Sequence, residues 1–359
     1  MRGILKFLNS MNQDRARRSM LVTGLAVAFA AGIAGSAATA TAAEEVNLYS
    51  YRQEFLIRPL LDAFTKETGI AVNVQYVKGG ILKRMQEEGD ASVADLVLAA
   101  DIATLSQHVE ADTFQPVDSA ALKANIPAQF RDPEGRWFGL TTRARVIVYS
   151  KDRINPSEIG TYEDLTDPKW AGRICTRSSG HVYMKSLLAS IIVAKGEEIA
   201  QGWAKGVNDN LARKPQGNDR AQVKAIWQGE CDIALINTYY LGAMQFNEAE
   251  PEQKEWVASI GVIFPNRDDR GTHINISGGG VAKHAKNRDN AVKLLEFLSD
   301  ARAQEYYAGS NFEYPVKAGV KWHPAVEAWG RFHADEAPLF EIAKQVPLAI
   351  KLYDRAGYR

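Results

Sequence analysis

Cysteine is scarce in this 359-residue chain: Cys175 and Cys231 are the two it has, and neither sits in a C-x-x-C spacing. That excludes a zinc or redox site built on paired cysteines. No apolar run after residue 43 is long enough to span a bilayer. An excess of one charge sign is lacking too. The whole chain has 43 basic and 43 acidic residues, and beyond residue 43 the balance is 38 to 42, a net charge near −4. A nucleic-acid partner would need a basic footprint, so none is expected. Internal repeats and low-complexity tracts are absent after residue 43. There is no H-E-x-x-H, no G-x-S-x-G and no Walker-type Gly-Lys-Thr. Gly278-Gly279-Gly280 lacks the spacing and the distal acid of a dinucleotide fingerprint, and reads instead as a place where backbone passes closely. The six histidines are scattered at 108, 181, 273, 284, 323 and 333. Ser178-Ser179-Gly180-His181 sets a hydroxyl near a base, but sequence neighbours rarely form a triad. An extracytoplasmic enzyme is therefore the weaker reading.

What is present begins with a leader. Residues 1–43 are basic at Arg2, Lys6, Arg15, Arg17 and Arg18, then apolar and small from Met20 to Ala38, and end in Ala40-Thr41-Ala42. This is the pattern of a cleaved signal peptide, with Ala42 or Ala43 the last residue removed. Arg17-Arg18-Ser19-Met20-Leu21 fits a twin-arginine signal, an ordinary secretory signal being the alternative. About 316 residues remain, enough for two lobes with separate cores. An even cysteine count in an exported protein points to one disulfide, Cys175–Cys231, against two free buried thiols.

The periodicity predicts an α/β chain. Val46–Ser50, 70–76 and Asp95–Ala99 read as strands, alternating with helices over 55–68, which Gly69 ends, and from Gly79-Gly80 through Met85. That β-α-β-α-β rhythm signals a parallel sheet covered by helices. A long strand is expected over Trp137–Tyr149 and a turn-rich helix start over Tyr162–Trp170. A second run follows, with strands at Gly172–Thr176, Asp232–Ile236, Val257–Pro265 and His273–Ala282. Helices are expected at Met184–Ala194, Arg220–Gln228, Asn287–Asp300, Ala301–Tyr307 and through most of Pro324–Leu352.

The most informative phrase is Asn237-Thr238-Tyr239-Tyr240, directly after the apolar run Ile233–Ile236. Successive strand side chains point to opposite faces, so both rings meet one pocket only if the chain turns there. A deprotonated phenol is a hard oxygen donor that suits a highly charged cation such as Fe³⁺. An aromatic pair in a core, or at a sugar-binding face, is the alternative from the tetrad alone.

Several phrases together resemble the iron-binding subfamily of type II periplasmic solute-binding proteins, the ferric-binding proteins. They are Leu48-Tyr-Ser-Tyr-Arg52, Ala94-Asp-Leu-Val-Leu-Ala-Ala-Asp101, Thr142-Arg-Ala-Arg-Val146, Tyr162 to Trp170, Cys175 to Tyr183, Asn237 to Tyr240 and Ile276 to Lys283. The resemblance implies two mixed-sheet lobes joined by crossing strands, residues 46–145 with 271–320 and residues 146–270 with 321–359. It implies a monomeric periplasmic protein that binds iron, Fe³⁺ before Fe²⁺, and delivers it to an inner-membrane ABC permease and its ATPase. Tyr183, Tyr239 and Tyr240 match the iron ligands. A His-Tyr pair that a well-known subgroup carries after the first strand is replaced by Gln53-Glu54. The resemblance then implies a synergistic anion such as carbonate, held by Arg52, with Tyr51, Glu54 and Asp101 as rival first-lobe ligands. Arg143, Arg145, Arg220, Asn237 and Ser178 are expected to balance charge or bind anion around the phenolates. The competing reading within the same fold is a small organic anion, phosphonate, polyamine or sugar as ligand.

Overall fold

The computed structural model describes residues 44–77 and 79–359; the leader and its twin-arginine pair lie outside them. Strand β1 (Glu45–Ser50) pairs in parallel with β2 (Ala71–Tyr76) and β3 (Leu96–Ala99). Helix α1 (Arg58–Thr68) makes the first crossover. Pro59 is tolerated in its first turn, and Gly69 ends it at φ 77°. Helix α2 (Ile81–Glu88) makes the second. Both sheet faces are covered. Leu96 and Leu98 enter one apolar cluster, while Val97 and Ala99 enter the other. Helices α3 (Ile102–Glu110) and α4 (Ala120–Asn125) follow; the sequence reading missed both. Asp101 and Ser119 cap them through their side chains.

The long strand β4 (Phe138–Ser150) organises the rest. Downstream come β5 (Ile174–Cys175), α5 (Val182–Lys195), α6 (Glu197–Asp209), α7 (Asp219–Trp227), β6 (Ile233–Asn237), α8 (Tyr239–Gln245), α9 (Gln253–Ala258), β7 (Ile260–Ile263) and β8 (Ile274–Val281). Then come α10 (Arg288–Ser299), α11 (Ala301–Ser310), β9 (Tyr314–Pro315), α12 (Pro324–Ala328) and α13 (Leu339–Arg355). The sheet runs β2-β1-β3-β8-β4-β6-β5, with β7 and β9 also pairing β4. β4 changes partners partway. Phe138–Ala144 pairs β8, and Arg145–Ser150 pairs β6 and β7. Gly278 lies against β4 so closely that a Cβ would meet the Phe138 carbonyl oxygen at 2.4 Å. The fold is thus the α/β class expected, with parallel and antiparallel pairs mixed in one sheet.

Several element expectations need correction. Val257 and Ala258 close helix α9, so the strand shrinks to Ile260–Ile263. A short apolar run does not distinguish a helix end from a strand. Tyr162–Trp170 forms two short 3₁₀ turns, Glu163–Thr166 and Pro168–Trp170, because Pro168 pushes Asp167 out of the helical region, to ψ 127°. The Gly172–Thr176 strand shortens to two residues. The expected disulfide is present: Cys175 and Cys231 are bonded, with Cα atoms 5.9 Å apart.

Candidate functional site

Tyr239 and Tyr240 are consecutive, yet their rings lie side by side, centroids 4.5 Å apart and tilted 31°. The chain does turn there. β6 ends at Asn237 and α8 begins at Tyr239. Neighbouring side chains are then separated by about 100° around a helix instead of alternating across a strand. Tyr183 comes from the first turn of α5, where His181 caps the helix by accepting from the Tyr183 amide. The Tyr183 and Tyr239 hydroxyls meet at 2.8 Å. Three separate guanidiniums lie over these rings. Arg145 and Arg177 sit 5.7 and 5.1 Å from the Tyr183 centroid, and Arg220 sits 5.2 Å from that of Tyr240.

The electrostatics oppose ionisation without a cation. Burial raises the Tyr183 phenol above its ordinary value, and Tyr240 adds to the shift while Arg143 works against it. Tyr239 is raised well above 10, by burial first and then by Tyr183 and Tyr240. A ligand that makes phenolates here must displace protons itself.

One carboxylate ties the arginines together. Asp219 is fully buried at the start of α7. Its Oδ2 accepts from Arg145 Nη1 at 2.7 Å and from the Asn237 amide at 2.8 Å, and its Oδ1 accepts from Arg177 Nη1 at 3.1 Å. Asn237 Oδ1 takes a further bond from Arg145 Nη1 at 3.1 Å. Arg143, also buried, donates to Ser277 Oγ and the Ala100 carbonyl, both neutral acceptors.

Beside Tyr183 lies a small cavity of about 10 Å³, lined also by Arg143, Arg145, Asn237, His273 and Asn275. That is room for about one water molecule. Ser186 Oγ accepts from Asn275 Nδ2 at 2.9 Å and lies 2.9 Å from His273 Nε2. Burial keeps this ring neutral, with its pKa well below 6.5. Asn237 Nδ2, Arg143 Nε and Arg145 Nε are buried donors with no protein partner, and His273 Nδ1 is buried without one as well. This part of the site offers unpaired donors to a ligand's lone pairs.

Tyr51, Glu54 and Asp101 make their own hydrogen bonds, none of them to Tyr183, Tyr239 or Tyr240 among the described residues. Tyr51 accepts from the Leu82 amide at 2.9 Å and touches His108 Nε2 at 3.2 Å. Thr113 donates to the His108 carbonyl and so accepts from His108 Nδ1 at 2.8 Å. His108 Nε2 must then accept, and Tyr51 must donate. Its phenol proton is in use, and burial raises its pKa further. Glu54 is exposed and pairs with Arg58 one turn on. Asp101 spends both oxygens on Thr104, at 3.0 and 2.9 Å. Arg52, expected to hold an anion, pairs with a carboxylate while its Nε stays buried without a partner. Its Nη1 and Nη2 are both held by Glu313, at 3.1 and 2.5 Å, in a buried pair. Ser178 is exposed and accepts from the Gly180 amide in its own loop. Asp219, His273 and Glu313 were missed, and Arg177 was read only as part of the Cys175–Tyr183 phrase. The adjacency of Asp219 to Arg220 in Asn-Asp-Arg was a sequence signal for the first.

The description of bacterial extracellular solute-binding proteins matches residues 91–334. "Iron uptake protein A1" of Synechocystis is 46% identical over 317 residues, 88% of each chain. Among solved structures, the apo ferric ion-binding protein A of Pasteurella haemolytica is 47% identical with a TM-score of 0.84, covering 88% of this chain and 98% of that one. A Trichodesmium protein in complex with iron and citrate is 44% identical, also at 0.84, covering 88% of this chain and 100% of its own. The chain belongs to the bacterial extracellular solute-binding proteins, in their periplasmic iron-binding branch.

Proposed function

We propose that this chain is an extracytoplasmic binding protein that holds iron through Tyr183, Tyr239 and Tyr240 and delivers it to an inner-membrane ABC importer. The observation that carries this is the 2.8 Å approach of the Tyr183 and Tyr239 hydroxyls, with the Tyr240 ring tilted alongside and three guanidiniums over the rings. Phenols held above their ordinary pKa give up protons only to a strong Lewis acid, which favours Fe³⁺ over Fe²⁺. Arginines then hold the phenolate charge. The relatives' iron uptake and ferric-binding names support the same cargo. Binding proteins of this kind are not enzymes.

The cleft lies between a first lobe of 46–145 with 271–320 and a second of 146–270 with 321–359. The change of β4 partners between Ala144 and Arg145 supports that division. Three phenolates neutralise Fe³⁺ and leave coordination positions for an anion, carbonate or a carboxylate such as the citrate of the Trichodesmium complex. Arg143 and Asn237 supply donors for it, with Arg52 keeping its Nε free while Glu313 holds its other two nitrogens. The protein acts as a periplasmic monomer.

Metal analysis and a visible spectrum of purified protein test this reading. The wild type should take up Fe³⁺ and turn coloured through phenolate-to-iron charge transfer. Tyr239→Phe with Tyr240→Phe removes two donors and keeps the rings. It should unfold like the wild type and lose the colour and the iron. Unchanged affinity in the double variant would disprove the site. A colourless wild type that binds a phosphonate or organic anion instead would favour the competing ligand.

A further inference from the structure

The three tyrosines come from two elements, α5 and α8, that share no strand pairing or backbone ladder. Something must hold their hydroxyls at 2.8 Å. Asp219 bonds toward both, and among the described residues it is the one carboxylate that holds the arginines doing so. Through Arg145 and Arg177 it fixes the two guanidiniums that flank the Tyr183 ring. Through the amide of Asn237 it fixes the strand end two residues before Tyr239. Thr238 is held in turn by the Ala144 carbonyl at 3.0 Å, so little slack remains between Asn237 and Tyr239. The carboxylate has three charge-assisted or buried bonds and no exposure. Its neighbour Arg220 leaves the same helix start in the direction of Tyr240.

Resting on the iron reading above, we propose that Asp219 is the positioning residue of the site: one buried carboxylate sets the distance between Tyr183 and the Tyr239-Tyr240 pair. It does not touch the metal. It acts through Arg145, Arg177 and the Asn237 peptide.

Asp219→Asn keeps the shape and removes the charge. An amide can accept from one or two of these donors but cannot satisfy both guanidiniums, and its NH₂ would face one of them. The empty variant should still unfold cooperatively. Its iron affinity should fall by about tenfold to a hundredfold, the range for losing a hydrogen bond to a charged group. Its phenolate–iron absorption band should move in wavelength, and iron release to a chelator should speed up. A purely structural role would lower thermal stability and leave the band of the folded fraction where it was. That result, or wild-type affinity with an unshifted band, overturns the proposal.

Should Asp219→Asn fail to fold, Arg177→Met removes one arm of the frame at a partly exposed position and is read by the same band and release rate. An unshifted band there, with wild-type affinity, overturns the proposal equally. In an Asp219→Asn background that folds, Arg177→Met should add little, because the two act through one another. Failure of the iron reading looks different: the wild type itself would show no band.

Discussion

Removing the disulfide should cost stability and spare the site. Cys175 and Cys231 are 56 residues apart, so the bond closes a loop of that size in the unfolded chain. In the chain-entropy account such a loop is worth about 4 kcal/mol at 25 °C. For a chain of this size that corresponds to a fall in Tm of roughly 6 °C. The bond lies beside the parallel pairing of β5 with β6, where Ile174 faces Ile233 and Cys175 faces Ala234. Asp232 further cross-links this region through Arg173 at 2.7 Å. Those bonds and the Asp219 frame remain when the sulfurs are parted, so Tyr183 and Tyr239 should keep their places. Cys175→Ala with Cys231→Ala, compared with the wild type by calorimetry and iron titration, checks both halves. An unchanged Tm would refute the entropic reasoning. A large loss of iron affinity at a temperature where the variant is fully folded would refute the claim that the frame stands without the bond.

Acid should destabilise the empty protein through His108, which burial pushes down to about 4 from an unfolded value of 6.5. The folded state binds the proton less well, so this contribution is complete above pH 6.5 and is lost as pH falls from 6.5 to about 4; it amounts to about 3 kcal/mol. Chemical unfolding of His108→Gln should show a shallower decline over that window, and identical slopes would refute the assignment. Gly242→Ala would put a Cβ 2.2 Å from Cγ of Phe312, a residue held at φ 56°. It should destabilise by about 1–3 kcal/mol and weaken iron binding, because the same helix begins with Tyr239 and Tyr240; a wild-type Tm would show that the helix yields freely. Arg17→Lys with Arg18→Lys should leave precursor in the cytoplasm on fractionation, and normal export would assign the general secretory route.

The sequence by itself determined what local chemistry determines. Short apolar runs marked β1 and β3, alternation marked β2, and Gly69 marked the end of α1. The lone cysteine pair and the leader implied the bond between Cys175 and Cys231, and Tyr239-Tyr240 after an apolar run raised an oxygen-donor site beside an aromatic pair in a core or at a sugar-binding face. Apart from the cysteine pair, each of these signals sits within a few residues of its cause. α3 and α4 were hidden because their capping side chains looked like ordinary polar residues. The tertiary structure alone decided the partners. Arg52 is bound by Glu313, 261 positions away, and Tyr51 is drawn to His108, 57 positions away. Asp219 joins Arg145 and Arg177 across 74 and 42 positions. A buried charge takes whichever counter-charge the fold brings near, because leaving it unpaired in a low-dielectric interior costs several kcal/mol. Nothing in the neighbouring sequence names that partner, so which arginine is free to meet a ligand became visible only once the chain was folded.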